Sequence, residues 1–112
     1  MRWPLWRVAV AERSMEPALR PGDWLLVRRT MARGRSLRVR PGQVVVARHP
    51  GRPDMLIVKR VVALRGTHLV LRGDNADASV DSRHFGPVDR RALRGRVVYR
   101  YFPPQRRGKL RV

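Results

Sequence analysis

Met55-Leu56-Ile57-Val58-Lys59-Arg60-Val61-Val62-Ala63-Leu64 is the stretch whose reading decides the fold. Its branched apolar residues follow no helical spacing, and they occupy both sides of a period-two alternation. One residue breaks the pattern. Lys59 falls on the same side as Met55, Ile57, Val61 and Ala63.

Working outward, the same short, branched and bounded pattern recurs at Val8–Ala11, Trp24–Val27, Val44–Ala47, Leu69–Leu71 and Val97–Phe102. No window longer than a turn or two carries helical spacing with caps. Met15–Arg20, behind Ser14 as N-cap, is expected to form one short helical turn, and Asp89–Leu93 another. Arg20-Pro21-Gly22-Asp23 and Arg40-Pro41-Gly42-Gln43 use one device twice, a Pro-Gly turn that feeds an apolar strand. Two copies make turn chemistry, not a repeat architecture. The expected architecture is all-β: a single domain of coiled, mostly antiparallel sheets over residues 1–102. The polar, Arg-rich connector Thr30–Arg38 is expected to be mobile. The basic tail 103–112 lacks apolar pattern and is expected to be disordered.

At 112 residues the chain builds one core, and 43% apolar with 30% charged residues describes a globular protein. No stretch approaches the roughly 20 apolar residues that span a bilayer. The start, Met1-Arg2-Trp3-Pro4-Leu5-Trp6-Arg7, lacks the apolar core of a secretory signal. The expected location is therefore the cytoplasm, with peripheral membrane contact as an option; Trp3 and Trp6 are read as packing against the domain. The absence of cysteine removes disulfides, thiolate metal sites and a thiol nucleophile together. The net charge of +18 comes from 26 basic and 8 acidic residues, and only two of the basic residues, Lys59 and Lys109, are lysines.

That imbalance gives Lys59 its interest. An ammonium group on an apolar face loses hydration, so the neutral amine is favoured and the pKa falls from about 10.4 toward neutrality. A general base needs a removable proton, which arginine does not supply. The alternative is a lysine whose stem lies on the apolar surface while its head reaches water or an acid. Ser14 is one of four serines and sits where the first strand gives way to a turn. Backbone N–H groups at such a junction can hold a developing oxyanion. The alternative is a simple N-cap, although Pro17 has no N–H to receive it.

The third informative segment is Gly73-Asp74-Asn75-Ala76-Asp77-Ala78-Ser79-Val80-Asp81-Ser82-Arg83-His84-Phe85-Gly86-Pro87-Val88. It reads as a loop held by side-chain-to-backbone hydrogen bonds, with Arg83 paired to Asp74 or Asp81. As a calcium loop it fails in both registers: from Asp74, alanines fall at ligand positions, and from Asp77, Ser82 falls where glycine is required. His49, His68 and His84 share no ligand spacing. Neither a metal nor a cofactor is expected.

Three of these segments together resemble a family. Ser14-Met15-Glu16-Pro17-Ala18-Leu19-Arg20-Pro21-Gly22-Asp23 resembles the serine box of the type I signal peptidases, S-M-x-P-T-L-x-x-G-D. Val58-Lys59-Arg60-Val61 resembles their lysine box. Gly73-Asp74-Asn75, followed by Ser79-x-Asp81-Ser82-Arg83-x-Phe85-Gly86-Pro87-Val88, resembles their closing box. The boxes stand in the family's order, and the likeness spans residues 8 to 102. The resemblance implies a serine endopeptidase with a Ser–Lys dyad on a coiled all-β fold. It makes Ser14 the nucleophile and Lys59 the general base. Ser79 would orient the lysine, while Asp74, Asp81 and Arg83 brace the site. The Ser14 N–H would serve the oxyanion hole, and Glu12 stands where some members carry a hydroxyl donor.

Ala18 replaces the usual threonine, and Leu64-Arg65-Gly66-Thr67 replaces the family's Pro-Gly-Asp turn. The short step from Ser14 to Lys59 leaves no room for the second domain of large signal peptidases. A short body with these motifs is most similar to the members that mature nickel-type superoxide dismutase, which implies a leader-bearing polypeptide as substrate. Cleavage of secretory precursors is the alternative substrate reading. A different class of function is a non-enzymatic basic β-domain that binds nucleic acid or an anionic membrane. Against it, the arginines are spread along the whole chain and no stacking-aromatic signature appears, so no specific nucleic-acid partner is expected.

Overall fold

The computed structural model describes residues 4–30 and 38–110, so Trp3 and connector positions 31–37 lie outside the described residues. Seven strands form one antiparallel sheet in the order β1-β2-β7-β3-β4-β5-β6. They are β1 (Leu5–Ala9), β2 (Trp24–Arg29), β3 (Val44–His49), β4 (Arg52–Arg65), β5 (His68–Arg72), β6 (Val88–Asp89) and β7 (Leu93–Phe102). The long apolar stretch is β4, as its composition predicts.

The sheet is buried on both faces at its centre because β3 alternates between two cores. Val44 and Val46 join Val10, Met15, Leu19, Leu25, Val27 and Val97 on one side. Val45 and Ala47 join Ile57, Val61, Leu69, Leu71, Val88 and Leu93 on the other. Burying a Val, Leu or Ile side chain contributes roughly 1.5–3 kcal/mol. Two apolar layers folded from one sheet therefore need the sheet to coil round itself, and the register shifts in β2, β4 and β7 provide the bends. Trp6 packs against the first of these cores, with the Arg29 guanidinium 4.9 Å from its ring centroid.

The paired Pro-Gly turns are alike in detail. Gly22 and Gly42 have φ of 94° and 95°, the region a type II turn demands. In each, the fourth residue's N–H bonds the first residue's carbonyl, at 3.0 Å and 3.1 Å. In each, its side chain also accepts from the first residue's N–H, at 2.9 Å from Asp23 and 2.8 Å from Gln43.

Three local expectations are revised. Ser82–Phe85, read as loop, is a short helix α1 whose N-cap Asp81 and third residue His84 bond each other's backbone. Met15–Arg20 makes one hydrogen-bonded turn, Leu19 N–H to Met15 carbonyl at 2.9 Å, without becoming a helix. The segment from Pro103, expected to be disordered, is folded as far as residue 110. Pro104–Arg106 forms a 3-10 turn, and Gly108 pairs with Arg100 of β7. The turn at Arg90–Ala92 follows Asp89 as predicted, with the Asp89 carboxylate capping the Arg91 N–H. Among the described residues no helix is long and apolar enough to cross a membrane.

Candidate active site

A cleft of about 700 Å³ opens beside β1 and the first half of β4. One wall is Val8–Ala11 with Glu12, Ser14 and Met15; the other is His49, Arg52 and Met55–Lys59, with Ala78 and Val80 at one end. Both walls are strand edges. In β4, Arg52 and Leu56–Lys59 pair with β3 on one side, and β5 joins the other side only from Arg60 onward. Among the described residues β1 pairs only with β2. The cleft is therefore lined by backbone N–H and C=O groups with room for one more extended strand.

Ser14 and Lys59 face this cleft from opposite walls, and each is 5% exposed. Ser14 follows β1 at the point where the chain leaves the sheet for the turn anchored by Met15 and Leu19, both fully buried. Its hydroxyl engages no hydrogen bond among the described residues, so it caps no helix. Among the same residues, the N–H groups of Ser14 and Met15 likewise have no protein acceptor. Lys59 sits between Ile57 and Val61 on the buried side of β4. Burial pushes its ammonium group below the ordinary lysine range; Asp81 and Glu12 oppose that shift, and Arg83 adds to it.

Among the described residues, the only hydrogen bond of Lys59 Nζ runs to Ser79 Oγ at 3.0 Å. Ser79 Oγ lies 2.5 Å from Asp81 Oδ2. Asp81 has no exposed surface, and it also accepts from the Gly73 N–H at 2.8 Å and from Arg83 Nη2 at 2.6 Å. Burial alone would raise the Asp81 carboxyl. The Arg83 guanidinium, the Ser79 hydroxyl and the backbone donors outweigh it and hold the carboxyl far below its usual range. An ionised carboxylate only accepts, so the Ser79 O–H points to Asp81 and its lone pairs face Lys59. The lysine head is thereby held from one side, and its remaining positions are turned to the cleft.

Of the six residues singled out in the sequence, Ser14, Lys59, Ser79, Asp81 and Arg83 come together here. Asp74 does not join them directly. It takes Arg60, the strand neighbour of Lys59, in two bonds of 2.8 Å, while Arg60 Nη1 donates to the Gly42 carbonyl at 2.6 Å. Arg83 thus pairs with Asp81, and Asp74 fastens the loop to β4 through Arg60.

Two contributors received no role from the sequence. Asn75 donates its backbone N–H to the Ser14 carbonyl at 2.8 Å and its side chain to the Arg13 carbonyl at 3.2 Å. Gly73 lies so close that an added Cβ would stand 2.3 Å from Ser79 Oγ and 2.5 Å from the Ser14 carbonyl oxygen. Their signal was present in the Gly73-Asp74-Asn75 triplet, but its meaning needed the partner segment.

Comparison with known proteins identifies the family. The profile of the family described as "Signal peptidase, peptidase S26" matches residues 5–72 and 64–102. Mitochondrial inner membrane protease subunit 1 of Xenopus tropicalis is 34% identical over 118 residues, covering 88% of this chain and 70% of the frog protein. Mitochondrial ATP-independent inner membrane protease subunit 1a of Arabidopsis thaliana is 34% identical, covering 62% of this chain and 55% of its own length. Mitochondrial inner membrane protease subunit 2 of Mus musculus is 31% identical, covering 83% and 65%. These names place the relatives at a mitochondrial membrane, so the cytoplasmic location expected from the sequence gains no support from them. None of the three points to a dismutase. The fold, the cleft and the matched sequence show that the chain belongs to the signal peptidase family, peptidase S26, and is a serine-type peptidase.

Proposed function

We propose that the protein is a Ser–Lys endopeptidase that removes an N-terminal leader from a precursor polypeptide. The observation that carries the reading is a desolvated lysine held by Ser79 in the same cleft as an unengaged serine hydroxyl. The precursor lies extended between β1 and the open half of β4, adding a strand to their free edges. Lys59 Nζ takes the Ser14 proton as Oγ bonds to the scissile carbonyl carbon. The N–H groups of Ser14 and Met15 receive the resulting oxyanion. Lys59 then passes its proton to the leaving amine, and the C–N bond breaks. Water, deprotonated by Lys59, hydrolyses the acyl-enzyme and restores Ser14.

The family's description as signal peptidases supports leader removal as the general activity, and the named relatives are proteases of a membrane. The finer reading, maturation of a nickel dismutase precursor, rests on the motif resemblance and the short body. One experiment addresses both levels. The purified protein is mixed with a leader-bearing dismutase precursor and, separately, with a secretory precursor, and each new N-terminus is sequenced. Cleavage of at least one is expected. Ser14→Ala is expected to abolish it, and Lys59→Arg to reduce it by about 10²–10⁴-fold, since arginine keeps the charge and cannot accept the proton. Undiminished cleavage by Lys59→Arg overturns the mechanism. Cleavage of the secretory precursor alone overturns the dismutase reading and leaves the chemistry intact.

A further inference from the structure

The segment beyond β7 doubles back on the sheet. Arg100 and Gly108 exchange backbone hydrogen bonds of 2.9 Å and 3.0 Å. The return carries Arg106 to Asp23, where Nη2 lies 3.1 Å from Oδ2 and Nε 3.4 Å from Oδ1. Arg100 reaches the same carboxylate at 3.4 Å, and its Nη1 donates to the Ala18 carbonyl at 2.6 Å. Arg106 Nη2 shares that carbonyl at 3.4 Å. Arg100 Nε also donates to the Arg106 carbonyl, tying the two arginines together. Asp23 is 2% exposed, so water screens this cluster little.

Ala18 and Asp23 belong to the irregular segment that begins at Ser14. No strand ladder fixes that segment. Its near end is held by the Asn75 bonds to the Ser14 and Arg13 carbonyls. At its far end, the Asp23 carboxylate accepts the Arg20 N–H at 2.9 Å and the Asp23 carbonyl accepts the Val10 N–H at 2.8 Å. The two arginines close that far end from outside, and one of them comes from the folded-back terminal segment.

We propose that Arg106 is a positioning residue for the peptidase reaction: through Asp23 and the Ala18 carbonyl it fixes the turn that presents the Ser14 hydroxyl to Lys59. The proposal rests on the Ser14–Lys59 reading above. Its physical basis is the sensitivity of chemistry to alignment, where a displacement near 1 Å costs on the order of 10²-fold in rate. A planar guanidinium holds two acceptors in a fixed fork, whereas a lysine ammonium is a compact point charge on a flexible stem and fixes no such geometry.

The test uses the full chain with Arg106→Ala, Arg106→Lys and, as a control that removes the same charge, Arg107→Ala. Arg107 is exposed and makes no contact with Asp23. Rates are measured well below each variant's melting temperature. Arg106→Ala is expected to lower kcat about 10- to 100-fold with KM within about threefold, because alignment is lost and binding is kept. Arg106→Lys is expected to restore part of kcat, added guanidinium ion to rescue part of the alanine variant, and Arg107→Ala to behave as the unaltered protein. Unchanged kcat in Arg106→Ala overturns the proposal. So does a loss no larger than the fraction of protein unfolded, or an equal loss in Arg107→Ala. Failure of the underlying reading looks different: Ser14→Ala or Lys59→Arg would retain cleavage.

Discussion

Lys59 works under opposing influences, and their balance sets a pH dependence. Burial favours its neutral form, while the charges of Asp81 and Glu12 favour the ammonium. As the proposed base Lys59 acts when neutral, so cleavage is expected to climb as pH rises toward its lowered pKa and to level off above it. Glu12→Gln removes one attraction on the ammonium and should move that rising limb to lower pH. A single-turnover rate measured across pH checks this; an unmoved limb would mean that Glu12 does not sense Lys59. Stability follows the same sign. In the unfolded chain Lys59 keeps its ordinary value of 10.5, so between the lowered pKa and that value the unfolded state binds more protons. The lysine's contribution therefore becomes less unfavourable as pH rises through this window. Lys59 was legible in the sequence because an apolar alternation with one cation in it has few physical outcomes. Its partner Ser79 was legible only through the family resemblance, since a serine in a polar loop carries no burial signal of its own.

The element that assembles the site is the segment between β5 and β6. Its first three residues each fasten something different: Gly73 makes room, Asp74 takes Arg60, and Asn75 takes Ser14. Gly73→Ala would place a methyl group against both Ser79 Oγ and the Ser14 carbonyl. Overpacking of this kind costs about 1–3 kcal/mol of stability. The larger expected effect is on chemistry, because the two groups forced apart are the hydroxyl that holds Lys59 and the carbonyl of Ser14, the proposed nucleophile. Thermal unfolding together with cleavage rate tests the point; a variant that unfolds earlier yet cleaves normally when folded would show that the close approach is structural only. This segment also shows where sequence reading stops. Helix α1 is capped by Asp81 with His84 in the position where Glu or Gln gives the recognisable signature. The order of the terminal segment depends on Asp23, which Arg106 meets across 83 positions of sequence. The strands were readable because their periodicity is local; the α1 cap was missed because His84 stands where the signature expects Glu or Gln, and the Arg106–Asp23 clamp because its partners are distant in sequence.

For the whole molecule, the net charge of +18 and the site's electrostatics operate in different media. The surface arginines act through solvent, where the Debye length is about 10 Å at 0.1 M salt. Lys59, Ser79 and Asp81 are at most 5% exposed and are little affected by that screening. Association with a DNA duplex is thus expected to fade steeply between about 0.05 M and 0.3 M salt. Turnover of an uncharged peptide substrate should change far less over the same range. Tight duplex binding that survives the higher salt would revive the reading of this chain as a polyanion-binding domain.

The open half of β4 has a further consequence. If this edge receives substrate as proposed, it cannot be blunted by the devices that protect other sheets, and it accepts any extended chain of suitable shape. On the proposed function, an excised leader that stays paired there would compete with the next precursor, and release of product would brake the cycle. Another copy of the protein is an equally eligible visitor. The arginine-rich surface then gains a colloidal role, since like charge keeps neighbouring molecules apart and leaves the groove vacant for its intended guest.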